Sequence, residues 1–152
     1  DKTVAWPTNQ QAGNGNAGVA QIVKDTNGAI GYVDFSDAKA AGLVFAKINN
    51  ASGAYVAASL DGATAALASA TVKPDLTYDP LNASGAGAYP ITAPTYILVY
   101  QSQSDANVRA ALQGFLNYIY GPGQELAASV DFAKLPASIL NPAKAQVAKI
   151  TS

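Results

Sequence analysis

The feature that most constrains the fold of this chain is an alternation of strand-like and helix-like patterns through its first half. The apolar run 29–35 ("AIGYVDF") is typical of a buried strand, and the helix-like "DAKAA" follows it, with Ser36 as the expected cap and Gly42 at its end. Farther on, "LVFAKI" and "AYVAAS" flank the turn-like "NNASG" and predict a hairpin. Alternating strands and helices build layers in which helices cover a sheet. The sequence therefore predicts an α/β fold.

The second half contains the clearest helical pattern, an amphipathic stretch over 104–119 that a Gly-Pro pair ends. Ser104 is its expected cap, and Asp105 is expected in its first turn. The closing stretch "LPASILNPAKAQVAKI" is also helical, with Pro136 and Pro142 each expected in a first turn.

Extended segments are predicted at 3–6 ("TVAW") and 96–100 ("YILVY"). Between the two halves, "LDGATAALASA" favours a weak, alanine-rich helix, and 72–88 has the composition of a long connector. No apolar run approaches the roughly 18 residues that a membrane-spanning helix needs.

The composition excludes several kinds of chemistry. Nine Lys and Arg residues balance ten Asp and Glu residues, and no basic run occurs, so nucleic acid is not an expected partner. The chain has no His and no Cys, which removes imidazole catalysis, activated thiols and thiolate metal sites. No catalytic residues, cofactor or metal are expected, and the residues favour a binding protein over an enzyme.

A polar, Gly/Asn-rich loop leads into a helical pattern in the stretch 8–25 ("TNQQAGNGNAGVAQIVKD"). Helix N-termini attract anions, so the loop is a candidate phosphate site. Gly13, Gly15 and Gly18 also have the spacing of a dinucleotide fingerprint. However, the loop is longer than that fingerprint allows, and it lacks the Gly-Lys-Ser/Thr of a phosphate-binding loop. The residues alone favour a plain loop and helix start.

Other polar and aromatic residues invite a functional interpretation but favour a structural one. Asp34 and Asp37 flank a strand end, where two carboxylates can hold a cation, yet nothing supplies further ligands. Arg109, the only arginine, is expected on the solvent side of its helix. Most of the tyrosines lie in apolar runs and are expected to be buried or half-buried; six of them are Tyr32, Tyr89, Tyr96, Tyr100, Tyr118 and Tyr120.

Several stretches together resemble a known family. "TVAWP", "GNAGVAQIV", "GAIGYVDFSDAKAAGL", "AYPITAPTYILVY" and "DFAKLPASIL" occur in this order, and in this order they resemble the C-terminal half of bacterial phosphate-binding proteins of the high-affinity phosphate ABC transporter. The most specific parts are 28–39, 89–92 and 135–136. The resemblance covers essentially residues 3–150.

The resemblance implies a type II periplasmic-binding-protein fold, with this chain supplying parts of both lobes. Residues 1–88 would belong to the second lobe, and 89–152 would return through a hinge strand to the first. The chain opens without a methionine, so we expect a processed or truncated product that an N-terminal half completes. Localisation would be extracytoplasmic, and the partners would be inorganic phosphate, the N-terminal half chain and the transporter permease.

The resemblance carries no phosphate ligand onto this chain. The family's arginine and Ser-Gly-Thr ligands precede the matched stretch, and Arg109 does not occupy the place of the family arginine. Asn16 and Gly18 are the remaining candidates, expected to face the cleft between the lobes and to shape it. Two alternatives stay open: a secreted or surface interaction protein on the same fold, and a hydrolase acting on phosphate esters.

Overall fold

The computed structural model describes residues 4–152, which divide into two compact units, one ending at Phe45 and one running from Ala46 to Ser152. The first unit contains two helices, α1 (Gly15–Asp25) and α2 (Phe35–Ala40). The second contains strands β1 (Ile48–Asn49) and β2 (Tyr55–Val56), helices α3 (Leu60–Ser69), α4 (Ala106–Ile119), α5 (Gly123–Leu126) and α6 (Ala137–Val147), and the 3₁₀ turn Ala127–Val130.

The predicted hairpin is confirmed in a short form. Strands β1 and β2 pair antiparallel, with Ile48 opposite Val56 and Asn49 opposite Tyr55. Gly53 has a φ of +78°, which glycine adopts without steric cost, and it closes the turn between them. Helices and this small sheet give the chain α/β character. Along the chain, the boundary between the two units falls between residues 45 and 46. The boundary between the lobes was predicted between residues 88 and 89, and that lobe assignment stays a prediction.

Two of the predicted strands do not form. The predicted strands 29–35 and 96–100 belong to no sheet, and Phe35 is instead the first residue of α2, so their assignment as strands was wrong for this chain. The same holds for 4–6 of the predicted segment 3–6, and Thr3 lies outside the described residues. An extended backbone becomes a strand only when a neighbour supplies hydrogen-bonding partners. No such neighbour exists among residues 4–152.

A close contact places the segment 29–34 against helix α1. A Cβ atom at Gly31 would lie 2.6 Å from Cγ2 of Val23 and 3.2 Å from Cγ1 of Val19. Only glycine therefore allows the segment to approach the apolar face of the helix this closely. Helix α1 ends before Gly28, whose positive φ of +78° allows the chain to turn back.

The helix caps differ from the sequence predictions by small shifts. Asp105, not Ser104, caps α4: its carboxylate accepts from the backbone N–H groups of Asn107 at 2.8 Å and Val108 at 3.1 Å. A carboxylate is favoured there because it also neutralises the helix dipole. Asp34, not Ser36, is the cap residue of α2, since Ser36 already lies inside the helix.

The final helix also begins differently from the prediction. Pro136 is the cap residue of α6, and Pro142 lies in the interior of the helix, not in a first turn. Proline in that position removes one N–H donor from the helix ladder. The helix nevertheless continues to Val147, which is buried in the core of the second unit.

The core of the second unit forms where α4 and the end of the chain meet. Leu116, Val147 and Ile150 are buried together, and Val99 and Tyr120 pack against them. Thr151 forms a parallel bridge with Ser102: its N–H donates to the carbonyl of Gln101 at 2.8 Å, and its carbonyl accepts from the N–H of Gln103 at 2.7 Å. The end of the chain thereby fixes the residues that follow segment 95–100.

A buried asparagine joins two distant loops in the second unit. Asn50 is 4% exposed; its Oδ1 accepts from the N–H groups of Ser52 and Ala54 at 3.0 and 3.1 Å. Its Nδ2 donates to the carbonyls of Gly85, Ala86 and Ala88 at 2.9, 3.3 and 3.0 Å. One side chain thus holds the hairpin turn against a loop 35 residues later. Such buried amides specify a structure only when every bond is made.

None of the helices within residues 4–152 has the length and apolar character required to cross a membrane.

A glycine-to-alanine substitution in helix α4 is expected to stabilise the protein. Gly114 lies in its interior, and a Cβ atom there would meet no other atom within 4 Å. Gly114→Ala is therefore expected to raise the free energy of unfolding by about 0.5–1 kcal/mol, because alanine lowers the backbone entropy of the unfolded chain. Urea denaturation followed by circular dichroism measures the change. The control is Gly121→Ala, whose Cβ would lie 2.7 Å from the carbonyl oxygen of Asn117 and which should destabilise. A Gly114→Ala protein less stable than the parent would contradict the prediction.

Candidate functional site

The glycine-rich loop folds tightly onto the first turn of helix α1. A Cβ atom at Gly13 would lie 2.4 Å from both the carbonyl carbon of Gly18 and the backbone nitrogen of Val19. Gly15 starts the helix with a φ of +64°. The glycine spacing therefore serves a close backbone contact and a left-handed turn. Because Gly18 has no side chain, it lets the loop at Gly13 approach the first turn of α1.

The first turn of α1 is tied to the start of α2 by one short hydrogen bond. Asn16 Nδ2 donates to Asp34 Oδ2 at 2.6 Å. Asp34 is the cap residue of α2, yet its carboxylate makes no cap bond to that helix. The structure thus brings Asn16 and Asp34 together across 18 positions of sequence, and both belong to the first unit. The sequence analysis named both residues but did not pair them.

The charge at this position limits what the loop can hold by itself. The N-terminus of a helix favours an anion, because its N–H groups are unpaired and the dipole is positive there. The Asp34 carboxylate already places a negative charge beside the first turn of α1. A free phosphate at the same place would meet like charge. The loop therefore has only neutral hydrogen-bond donors for an anion, because the described residues 8–16 include no Lys or Arg.

The remaining candidates lie apart from this loop. Asp37 is in the first turn of α2, where a carboxylate favours the helix dipole. Arg109 belongs to the second unit, is half-buried, and donates from Nη1 to the carbonyl oxygen of Gln103 at 2.7 Å. Its guanidinium therefore fastens the loop before α4 and is not fully on the solvent side. Within residues 4–152 no cluster of three or more His, Cys, Asp or Glu residues could hold a metal ion.

The burial expected for six tyrosines is confirmed for Tyr89 and Tyr120, which are half-buried, and was wrong for the four exposed ones, Tyr32, Tyr96, Tyr100 and Tyr118. Tyr32 stacks on Trp6 with ring centres 6.3 Å apart. Tyr78 and Tyr96 form an edge-to-face pair, and the Tyr96 hydroxyl accepts from the N–H and donates to the carbonyl of residue 78. Burial, with smaller contributions from Tyr96 and Tyr120, raises the pKa of Tyr78. The phenol therefore stays neutral and structural near pH 7.

Two other groups have shifted pKa values, and neither suggests catalysis. Burial raises the pKa of Tyr89, which also keeps that phenol neutral. The hydroxyl and the N–H of Thr77 donate to the Asp75 carboxylate at 2.7 and 3.0 Å and lower its pKa. Asp75 is thereby the centre of a polar turn in the connector.

A hollow of about 290 Å³ in the second unit lies between α3 and the loop after the 3₁₀ turn. Asp61 and Thr64 line one side, and Phe132 and Lys134 line the other. The Lys134 ammonium already pairs with the Glu125 carboxylate at 2.6 Å, and both side chains are exposed. An exposed ion pair of this kind contributes little energy and presents no prepared ligand site.

Asn50 is the polar residue that sequence reasoning missed. The pattern "NNASG" predicted a turn and nothing more, although the buried amide of Asn50 makes five hydrogen bonds. No local signal identifies it, because three of its acceptors lie 35 to 38 residues away. It is a structural residue, and it contributes to the fold around β1 and β2.

The comparisons with known proteins agree with each other. A family profile described as "PBP superfamily domain" matches residues 2–122. The phosphate-binding protein PstS of Pasteurella multocida (strain Pm70) is 31% identical over 147 residues, which cover 95% of this chain and 42% of that protein. The phosphate-binding protein PstS of Xylella fastidiosa (strain Temecula1) is 33% identical over 140 residues, covering 91% of this chain and 38% of that protein.

A third relative has a similar identity. The phosphate-binding protein PstS of Methanocaldococcus jannaschii is 31% identical over 140 residues, which cover 82% of this chain and 36% of that protein. The chain therefore spans about two fifths of the length of the curated relatives it matches.

Proposed function

The chain belongs to the PBP superfamily, and we propose that it is part of an extracytoplasmic solute-binding protein that captures inorganic phosphate for import by an ABC transporter. One observation carries the proposal: nearly the whole chain, 95% of it, aligns with a protein named for phosphate binding. The absence of His and Cys from the sequence supports a binding role, since the common nucleophile–base pairs cannot be built.

In the proposed protein the fold is of the two-lobed type II class, and this chain contributes to both lobes. Residues 1–88 belong to the second lobe, and residues 89–152 return through the hinge to the first. Phosphate lies between the lobes and is held by an arginine and neutral donors from the N-terminal half, because such groups bind a tetrahedral oxyanion without a metal. The completed protein delivers phosphate to the transporter permease.

Asn16 and Gly18 have a supporting role in this proposal. The Asn16–Asp34 bond and the close Gly13–Gly18 contact give the start of α1 a fixed shape. We place this surface at the cleft, where it shapes the wall and leaves the main grip to the N-terminal half. The negative charge of Asp34 supports that division, since it disfavours an anion held by this loop alone.

Isothermal titration of the full-length gene product with inorganic phosphate tests the proposal, with sulfate as the control anion. We expect saturable binding of one phosphate, and about a tenfold or smaller loss of affinity for Asn16→Ala, since a wall residue contributes roughly one hydrogen bond. The absence of any phosphate binding by the folded full-length protein would overturn the proposal. A loss of 1,000-fold or more on Asn16→Ala would instead overturn its supporting role, because only a main ligand has so large an effect (about 4 kcal/mol).

A further inference from the structure

At three places in the chain an asparagine or an aspartate precedes a glycine, a pairing that rearranges chemically more readily than most in proteins. The pairs are Asn14–Gly15, Asn27–Gly28 and Asp61–Gly62. Glycine has no side chain to shield its backbone nitrogen, so that nitrogen can approach the side-chain carbonyl carbon of the residue before it. The sequence makes all three pairs candidates, and the structure distinguishes among them.

The pair Asp61–Gly62 is blocked by the cap of helix α3. Gly62 is buried in the first turn of the helix, and its N–H donates to Oγ of Ser59 at 3.0 Å. The glycine nitrogen would have to give up this cap bond before it could attack the carboxyl group of Asp61. Asp61 is therefore held in its ordinary form.

The pair Asn14–Gly15 is restrained by its backbone. Asn14 is exposed, but its ψ of 107° turns the Gly15 nitrogen away from the asparagine side chain, so ring closure requires rotation about this bond. The Asn14 carbonyl accepts from the N–H of Gly18 at 3.3 Å, and Gly13 lies against the backbone of Gly18 and Val19. Rotation would separate the loop from the first turn of α1, and the fold thereby slows the reaction at Asn14.

The pair Asn27–Gly28 lies in an exposed turn with little to restrain it. Both residues are exposed, and the N–H of Ala29 donates to the carbonyl of Thr26 at 3.1 Å across the turn. Within residues 4–152 the Gly28 N–H donates no backbone hydrogen bond, and a Cβ atom at Gly28 would have no atom within 4 Å. Opening one hydrogen bond therefore lets the turn rotate, and the nitrogen is available to react.

We propose that Asn27 is a site of spontaneous modification, where the asparagine becomes isoaspartate or aspartate through a succinimide. The Gly28 nitrogen attacks Cγ of Asn27; the N–Cγ bond forms, the Cγ–Nδ2 bond breaks, and the side-chain amide leaves as ammonia with the proton of the Gly28 nitrogen. Water then opens the ring. Attack of water at Cγ gives aspartate, whereas attack at the main-chain carbonyl carbon of residue 27 gives isoaspartate, whose backbone runs through Cβ and Cγ. Water is the only other reactant.

The position of Asn27 gives the isoaspartate a structural consequence. The turn joins α1 to segment 29–34, in which Gly31 fits closely against the helix. Isoaspartate adds one carbon to the backbone of this turn, so a closely packed segment must shift along the helix. Asp34 ends the same segment and accepts the 2.6 Å bond from Asn16. We therefore expect isoaspartate at residue 27 to loosen that bond, whichever ligand the protein binds.

Ageing of the full-length gene product at mildly alkaline pH tests the proposal. Trypsin cleaves after Lys24, so Asn14 and Asn27 fall in different peptides, and mass spectrometry detects the gain of about 1 Da in each. In the folded protein Asn27 should convert about tenfold or more faster than Asn14, whereas in guanidinium chloride the two rates should agree within about threefold, because only the fold distinguishes them. Equal rates in the folded protein would overturn the proposal, and so would an Asn27 that reacts only when the protein is unfolded.

Two serine variants provide a matched pair. Asn27→Ser should abolish the mass gain in the peptide that contains residue 27, and Asn14→Ser should leave that gain unchanged. A gain of the same size in the Asn27→Ser protein would place the modification at another residue of the peptide and overturn the assignment.

Hydrogen exchange of residues 15–25 tests the structural consequence. The isoaspartyl form, separated by ion exchange, is compared with freshly purified Asn27→Asp, which has the same charge and an ordinary backbone. Exchange in α1 should be about threefold or more faster in the isoaspartyl form, because only that form lengthens the turn. Equal exchange in the two proteins would show that the added carbon does not disturb the helix, and would overturn this part of the inference.

Discussion

Replacing Asn50 with alanine is expected to lower the free energy of unfolding of the second unit by about 3 kcal/mol. The substitution removes the amide that joins the hairpin turn to the loop at 85–88. The N–H groups of Ser52 and Ala54 and the carbonyls of the distant loop then lose a partner at part-buried positions, and the carbonyl of Ala88 loses one at a buried position. Leaving buried and partly buried polar groups unpaired costs more than the bonds contribute when made.

Urea denaturation followed by circular dichroism measures the global effect of Asn50→Ala. A local measurement tests the cause of this effect. The rates of amide hydrogen exchange at Ser52 and Ala54 should rise by about tenfold or more, because their acceptor is removed. The control is Asn49→Ala: Asn49 is exposed and makes one 3.3 Å bond to the carbonyl of Gly53, so its loss should stay below about 0.5 kcal/mol. Equal effects of the two substitutions would show that the Asn50 bonds do not hold the loops together.

Replacing Gly13 with alanine is expected to destabilise the first unit by about 2 kcal/mol. The new Cβ atom would lie 2.4 Å from backbone atoms of Gly18 and Val19. Backbone at the start of a helix cannot yield as a flexible side chain does, so the loop must move away from α1. We also expect the Asn16–Asp34 bond to lengthen, because the first turn of the helix carries Asn16.

The single tryptophan reports on this change, since Trp6 lies in the first unit and stacks on Tyr32. Its fluorescence during urea denaturation should show a lower midpoint for Gly13→Ala. Asn14→Ala is the neighbouring control, because the Asn14 side chain makes no cap bond to α1 and its loss should cost below about 0.5 kcal/mol. A Gly13→Ala protein as stable as the parent would mean that loop and helix are less closely packed than the structure has them.

Local patterns predicted most of the helices correctly. The amphipathic stretch that became α4, the weak helix α3 and the hairpin of β1 and β2 all depend on residues within one or two turns of each other. The errors at the caps were shifts of one or two residues, as between Ser104 and Asp105 or between Ser36 and Asp34. Two adjacent polar residues can each cap a helix, and only the final geometry of the turn selects one of them.

The candidate site was predicted in part. Asn16 and Gly18 were named from the resemblance, and their place in a cleft stays a prediction. The bond between Asn16 and Asp34 was not predicted, because the segment between them must first fold back along α1. The same reasoning explains why Asn50 was missed: its acceptors become neighbours only when the loop at 85–88 meets the hairpin.

The sequence by itself determined the conformation of the backbone, the kind of chemistry and the family. Glycine, proline and apolar spacing act over a few residues, so they set turns, helices and extended segments. The tertiary structure alone decided which of those segments are paired and covered. Segments 29–34 and 96–100 have strand-like sequences, yet neither is paired in a sheet across residues 4–152. Pairing depends on hydrogen-bonding groups distant along the chain, and these segments have none in the part described.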